Sequence, residues 1–247
     1  MGTTDADLDR TAVIILAGGL GTRLKSVTGD TPKPLVPILG RPFIEYLLDH
    51  LRSMGFEHLF VTASYRFDLM DAAIAQYRAR AGSAVVVLEE PVAAGTFGAV
   101  LRAGRHIPSR FQNLLIVNGD SLVNTSYVTI LSSLSCRDGS VAAALVPDRS
   151  RFGSLEVDIE GRLRAISEKT KLGPGVINVG IYAFKRPIIE AFSLYNFSSI
   201  ERDFLPVVIS RANIGVSVLD TTDFIDIGTP ESFAEAEHFP LIKKILE

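Results

Sequence analysis

Six consecutive apolar residues, Ala12-Val13-Ile14-Ile15-Leu16-Ala17, run straight into Gly18-Gly19, and this stretch most limits how the chain can fold. A strand with no polar face must be covered on both sides, which points to a sheet held between helices. The rest of the first half agrees. Pro42, then Ile44, Leu47, Leu48 and Leu51 at i, i+3, i+4 and i+7, with Gly55 as a stop, predict a helix of about three turns. Strand-like runs at 58–63, 84–88 and 113–118 alternate with helical stretches near 67–80 and 97–106, as in a mainly parallel sheet with right-handed crossovers. In the second half, strands at 140–147, 153–159, 162–167 and 176–184 follow one another with short gaps, and Glu160-Gly161 reads as a tight hairpin turn, so antiparallel strands join the same sheet. Helices near 187–193, 199–211 and 230–238 alternate with strands near 214–219 and 223–227.

No repeat, linker or charge run divides the 247 residues, so a single domain is expected. The net charge of −3 gives no basic field for a nucleic-acid backbone or an anionic membrane, so any anionic ligand must be bound locally. One cysteine, Cys136, excludes an intrachain disulfide and a cysteine-rich zinc site, and reads as a small apolar filler. The first ten residues are acidic where a signal peptide is basic, and no apolar run approaches the ~20 residues that span a bilayer. A cytoplasmic location is therefore expected. His50, His58, His106 and His238 lack metal-ligand spacing, and Phe60, Phe67 and Phe97 read as core or helix-face residues rather than a base-stacking strip.

Glycines after a strand let successive N–H groups turn toward one point, a geometry that binds phosphate. The dinucleotide fingerprint fails, because Gly19-Leu20-Gly21-Thr22-Arg23 continues with Leu24 and the second strand ends in Ala63-Ser64 without an acid for a ribose. A Walker A loop fails too, since Gly21 is followed by Thr22-Arg23. What remains is a glycine loop with Arg23 close behind it and Lys33 held between Pro32 and Pro34. Arginine offers bidentate phosphate contacts and lysine a point charge, a set that suits a triphosphate. Solvated loop charges are the alternative.

The stretch Ala17-Gly18-Gly19-Leu20-Gly21-Thr22-Arg23-Leu24, followed by Pro32-Lys33-Pro34, resembles the signature of sugar-1-phosphate nucleotidyltransferases. The resemblance runs from about Thr11 to His238, leaving residues 1–10 as an expected flexible leader and 11–247 as the domain. It implies a three-layer α/β/α, Rossmann-like fold with a mixed, mainly parallel twisted sheet. It also implies that the glycine loop holds the nucleotide while Arg23 and Lys33 bind phosphates, with Lys33 assisting transfer. Transfer of this kind usually needs Mg²⁺ and hence oxygen ligands. Asp120, in Val117-Asn118-Gly119-Asp120-Ser121 at the carboxyl end of a strand, and Asp226, in Phe224-Ile225-Asp226-Ile227-Gly228, resemble the family's metal-binding aspartates. Turn or helix-capping roles are the alternative for both, the more so for Asp226 because Gly228-Thr229-Pro230-Glu231 also looks like a helix start.

Further segments carry the likeness. Glu90-Pro91 and Gly95-Thr96-Phe97-Gly98-Ala99 resemble the segment that contacts base and ribose, although Val92-Ala93-Ala94 stands where the family commonly has one leucine. With Asn118 and Gly119 they complete the expected nucleotide set. Glu168-Lys169 and Asn178-Val179-Gly180-Ile181-Tyr182 resemble the sugar-phosphate segments, Lys169 for the phosphate and Glu168, Asn178 and Gly180 for hydroxyls; a lone Glu-Lys pair is otherwise a solvated strand end. In residues 198–206 Glu201 could reach the sugar, or Asp203 could simply cap and charge a helix start.

The implied reaction joins an NTP and a sugar 1-phosphate and releases pyrophosphate. The combined motifs look most like bacterial D-glycero-α-D-manno-heptose-1-phosphate guanylyltransferases, implying GTP and a heptose phosphate. Mannose-1-phosphate guanylyl-, glucose-1-phosphate thymidylyl- and cytidylyltransferases share most of these residues. A regulatory subunit that binds nucleotide sugars without catalysis is the rival from another class, and its mark would be a lost lysine or metal aspartate. A glycosyltransferase would need a D-x-D motif after the nucleotide-binding strands. No nucleic-acid or membrane partner is expected; a homo-oligomer is compatible with the sequence, which does not reveal the oligomeric state.

Overall fold

The computed structural model describes residues 5–19, 21, 24, 29–90, 94–167, 172–219 and 224–247. The opening run forms β1 (Thr11–Leu16), which pairs in parallel with β4 (Leu59–Ala63) on one side and β6 (Asn113–Asn118) on the other. β5 (Val86–Glu89) continues the parallel order beyond β4. On the far side of β6 lies the long strand β11 (Gly175–Lys185), antiparallel to both β6 and β8 (Gly139–Val146), and β12 (Ile214–Leu219) closes that edge parallel to β8. A hairpin of β9 (Ser154–Val157) and β10 (Leu163–Ser167) attaches to β11 at Ile177, turning through Gly161 at φ +72°. The mixed, mainly parallel sheet is the expected one.

Two separate cores explain why the strands carry no polar face. Val13, Ile15, Val61, Leu115 and Val117 point into one core, while Ala12, Ile14, Phe60, Leu114 and Ile116 point into the other. The first core is covered by α2 (Phe43–Ser53), through Ile44, Leu47, Leu48 and Leu51, and by α3 (Phe67–Ala81), through Met70, Ile74 and Tyr77. The second is covered by α4 (Gly95–His106), through Phe97, Val100 and Ala103, and by a turn at Ile200–Phe204 that runs into a short helix, Leu205–Val208. The period of two along each strand and the helices on both faces are two readings of the same three-layer arrangement.

Several details differ from the sequence reading. The helix expected at 199–211 is instead a π-helical turn, Ile200–Phe204, followed by one α-turn. Short elements emerge that have no periodicity to reveal them: the pair Pro37–Ile38 and Arg41–Pro42, the strand β7 (Ser121–Val123), and a C-terminal helix, Pro240–Leu246. Within the expected leader, Asp5–Asp9 form a short helix and Leu8 packs against the first core. Cys136 is exposed rather than a filler, because it sits in the bend that precedes β8. His50 is buried with Nε2 3.1 Å from the Thr125 carbonyl, and burial lowers its pKa. Among the described residues no helix is long and apolar enough to cross a membrane.

Phe204 stacks on Phe97 at 4.5 Å between centroids and meets Phe184 and Phe192 edge-on at 5.3 and 5.4 Å. Phe204→Ala is expected to cost about 3–5 kcal/mol, the range for a buried phenylalanine whose site cannot collapse. Urea unfolding checks this; a loss below about 1 kcal/mol would mean that the second core closes around the gap.

Candidate active site

The carboxyl ends of β1, β4 and β6 lie side by side. Ala17 N–H donates to the Thr62 carbonyl at 2.9 Å and Gly119 N–H to the Leu16 carbonyl at 2.9 Å, so the glycine loop leaves the sheet next to the end of β6. The chain returns through Pro32 into a single 3₁₀ turn, Lys33–Leu35, whose Pro34 and Leu35 are buried. Anchored on both sides, Lys33 directs its Nζ to Asp120 Oδ2 at 2.5 Å, and its side chain is only 11% exposed. The lysine is therefore not a solvated loop charge.

Asp226 arrives from the opposite end of the sequence. β13 (Phe224–Asp226) pairs antiparallel with β7 so that Asp226 stands opposite Ser121, and Ile227 N–H donates to the Asp120 carbonyl at 3.0 Å. Its Oδ1 accepts from Gly228 N–H at 2.7 Å. The helix start beyond it belongs to Thr229, which forms a capping box with Ser232 at the head of Pro230–Ala236. Asp226 is thus left facing the cavity instead of serving as the cap.

Two adjoining cavities open here. The larger, about 390 Å³, is lined by Ala17, Gly18, Gly19, Gly21, Glu90, Gly95 and Thr96 together with Lys33, Asn118 and Asp120. The smaller, about 180 Å³, is lined by Asn178, Gly180, Glu201 and Asp226, again with Lys33, Asn118 and Asp120. These three shared residues form the wall between the cavities. Gly119 lines neither, its amide being committed to Leu16. Thr22, Arg23, Glu168 and Lys169 lie outside the described residues.

Each cavity has a distinct polar device. Glu90 is buried at the floor of the larger one, with Oε1 making no hydrogen bond among the described residues. Burial raises its pKa above the usual carboxylate range, against the opposing pull of Thr62 and Arg102. At the back of the smaller cavity, Glu201 Oε1 accepts from Asn178 Nδ2 at 2.7 Å and from the Tyr182 hydroxyl at 3.2 Å. Burial, reinforced by the Glu201 charge, drives the Tyr182 phenol well above its ordinary pKa, so it stays a neutral donor. Gly180, at φ +77° in the bulge of β11, receives the Asn178 side chain on its N–H at 3.0 Å, and a Cβ there would overlap Asn118. Only glycine fits that position.

Sequence reasoning missed Arg151, which lines the smaller cavity and has Nη2 3.3 Å from Thr229 Oγ1. An arginine in a polar turn carries no pattern that separates it from a solvated charge. It also missed Ser64, whose hydroxyl donates to the Gly18 carbonyl at 2.8 Å and so holds the glycine loop against β4. As a cation site, the smaller cavity brings Asp120 of the shared wall and Asp226 to its lining; no group of three or more potential ligands occurs among the described residues. Two carboxylates with the remaining positions left to water and phosphate oxygens is the donor set that suits Mg²⁺.

The family model for nucleotidyl transferases matches residues 12–241. D-glycero-alpha-D-manno-heptose 1-phosphate guanylyltransferase of Campylobacter jejuni is 30% identical over 222 residues, covering 89% of this chain and 96% of that protein. Mannose-1-phosphate guanylyltransferase of Mycobacterium tuberculosis is also 30% identical, over 89% of this chain, which spans 62% of the relative. The crystal structure of HddC from Yersinia pseudotuberculosis superposes with a TM-score of 0.83 at 35% identity, over 92% of this chain and 98% of the other, and its complex with GMP-PN gives 0.82. A match that spans every strand of the central sheet, with relatives of this activity at 30% identity, makes the chain a member of the nucleotidyl transferase family and a sugar-1-phosphate nucleotidyltransferase.

Proposed function

We propose that this enzyme transfers GMP from GTP to D-glycero-α-D-manno-heptose 1-phosphate. The observation that carries the reading is the Lys33–Asp120 pair on the wall shared by the two cavities. A phosphate oxygen of the sugar phosphate, held in the smaller cavity, attacks the α-phosphorus of the nucleotide in the larger one. The bond from the α-phosphorus to the bridging oxygen breaks, and pyrophosphate leaves. In this reading the glycine loop of Ala17, Gly18, Gly19 and Gly21, with Thr22 and Arg23, cradles the triphosphate, and Lys33 carries its charge to the reacting phosphate. Asn178, Gly180 and Glu201, with Glu168 and Lys169, hold the sugar phosphate. Such chemistry is mainly positioning and charge neutralisation. Mg²⁺ held by Asp120 and Asp226 would offset charge gathering on the phosphate oxygens. An exposed, unpaired Cys136 accords with a reducing compartment, and the cytoplasm is the proposed location.

Glu90 supports guanine as the base. A carboxylate only accepts, and guanine presents N1–H and N2–H₂ as adjacent donors, whereas the corresponding edges of adenine and cytosine pair a donor with an acceptor. The heptose rests on the relatives, two of which carry that name at 30% identity.

Pyrophosphate release over GTP, dTTP, UTP, CTP and ATP against heptose, mannose and glucose 1-phosphates, with and without EDTA, tests the whole reading. A single strong pair, GTP with the heptose phosphate, and loss of turnover on chelation are expected; a different preferred pair replaces the substrates proposed here. Lys33→Ala should lower kcat by about 10²-fold or more while the protein melts near the parent temperature, and near-normal turnover would remove Lys33 from the reaction. Glu90→Gln should lower kcat/KM for GTP roughly ten- to a hundredfold, the worth of a hydrogen bond to a charged group. Because burial raises the Glu90 pKa, the wild-type preference for GTP should fade as pH drops through that raised value and the acceptor is protonated. A pH-independent base preference would refute the assignment.

A further inference from the structure

The turn that carries Glu201 is fastened to the wall of the nucleotide cavity. Ile200 N–H, the first of the π-helical turn and next in sequence to Glu201, donates to Thr96 Oγ1 at 2.9 Å. One residue further, Phe97 N–H donates to the Ser198 carbonyl at 2.9 Å. Gly95, at φ +75°, comes so near that a Cβ there would overlap the Ser198 carbonyl. The segment is tied from its own side as well. Asp203 accepts from Ser198 N–H and Ser199 N–H at 2.8 Å each, and Phe204 N–H reaches back to the Ser199 carbonyl at 3.0 Å. The first N–H groups of any helical turn have no partner within the helix, so whatever satisfies them fixes where the turn begins. Here a side chain of the other cavity does so.

We propose that Thr96 is a positioning residue for the sugar phosphate: its hydroxyl holds the π-helical turn in the register that aims Glu201 into the smaller cavity. This role is separate from the nucleotide role that resemblance gives Thr96, because it commits only the lone pair facing the turn. Without that acceptor Ile200 N–H is left without its partner, the turn is free to relax toward regular α-helix, and Glu201 shifts relative to Asn178. π-turns are uncommon and concentrate at functional sites, in keeping with a geometry held by outside contacts.

The inference rests on the reading of Glu201 as facing the sugar phosphate, and a double-mutant cycle separates the two. With GTP saturating, Thr96→Val should raise KM for the heptose phosphate roughly three- to tenfold, the effect of one lost hydrogen bond. KM for GTP, measured at saturating sugar phosphate, should rise by a smaller factor than the sugar KM, and a melting temperature near that of the parent reports an intact fold. Thr96→Ser, which keeps the acceptor, should restore the sugar KM. Adding Thr96→Val to Glu201→Gln should bring little further loss, since both act through one carboxylate. A Thr96→Val enzyme with a normal sugar KM or with GTP KM raised by the larger factor, a Thr96→Ser enzyme without rescue, or strictly additive losses in the double mutant overturns the positioning role while leaving the sugar cavity in place. If Glu201→Gln itself leaves the sugar KM unchanged, the placement of the sugar phosphate is wrong and the role of Thr96 falls with it.

Discussion

When Ile225 pairs with Leu122 and Asp226 with Ser121, a carboxylate from near the end of the chain is carried to the tip of β6, where Asp120 and Lys33 already meet. That two-stranded contact completes the smaller cavity. It closes one side of the smaller cavity with Phe224 and Asp226, and it lets Ile227 N–H lock onto the Asp120 backbone. Leu122, Val123 and Ile225 anchor the ribbon in the first core. Such anchoring matters because a pair this short is at best marginally stable alone.

The electrostatics explain why a largely buried cation stands where the two cavities meet. Two like unit charges 4 Å apart repel by about 4 kcal/mol at an effective dielectric constant of 20, so an anionic nucleotide and an anionic acceptor cannot approach unaided. Lys33 is largely withdrawn from solvent, where its charge is weakly screened, and it faces both cavities rather than one. The chain as a whole stays acidic, with a net charge of −3. The Lys33 charge is thus placed at the junction of the two cavities.

Most of the architecture was legible because it rests on burial. β1, β4 and β6 are continuous apolar runs since helices cover both faces, and the motif residues Ala17, Gly18, Gly19, Gly119 and Asp120 follow the carboxyl ends of β1 and β6. What escaped was set by contacts distant in sequence. β7 spans three residues, too short for periodicity, and only its pairing with β13 makes it a strand. The stretch 199–211 has a helical composition, yet Asp203 and Thr96 satisfy its first amides and Pro206 follows, so the backbone winds as a π-turn before a single α-turn. Cys136 was misjudged because cysteine is usually buried and the bend before β8 is not.

The lining of the smaller cavity is assembled from two local departures from regular structure, the bulge of β11 around Gly180 and the π-turn around Glu201, and the Asn178–Glu201 hydrogen bond joins them at 2.7 Å. Bulges and π-turns re-aim side chains that regular elements would point elsewhere. Neither would persist without support. Beside the bulge, Tyr182 and Phe184 are buried in the second core, and beneath the π-turn Phe204 stacks on Phe97 of α4. Among the described residues, the strands around the larger cavity show no comparable irregularity; that cavity relies on a glycine loop held to β4 by Ser64. One cavity is therefore shaped by backbone distortion held in a packed core and the other by glycine at a strand end. In the proposed assignment of the two cavities, sugar specificity works through side chains whose backbone is fixed by that core, whereas base recognition rests on Glu90 just past the end of β5.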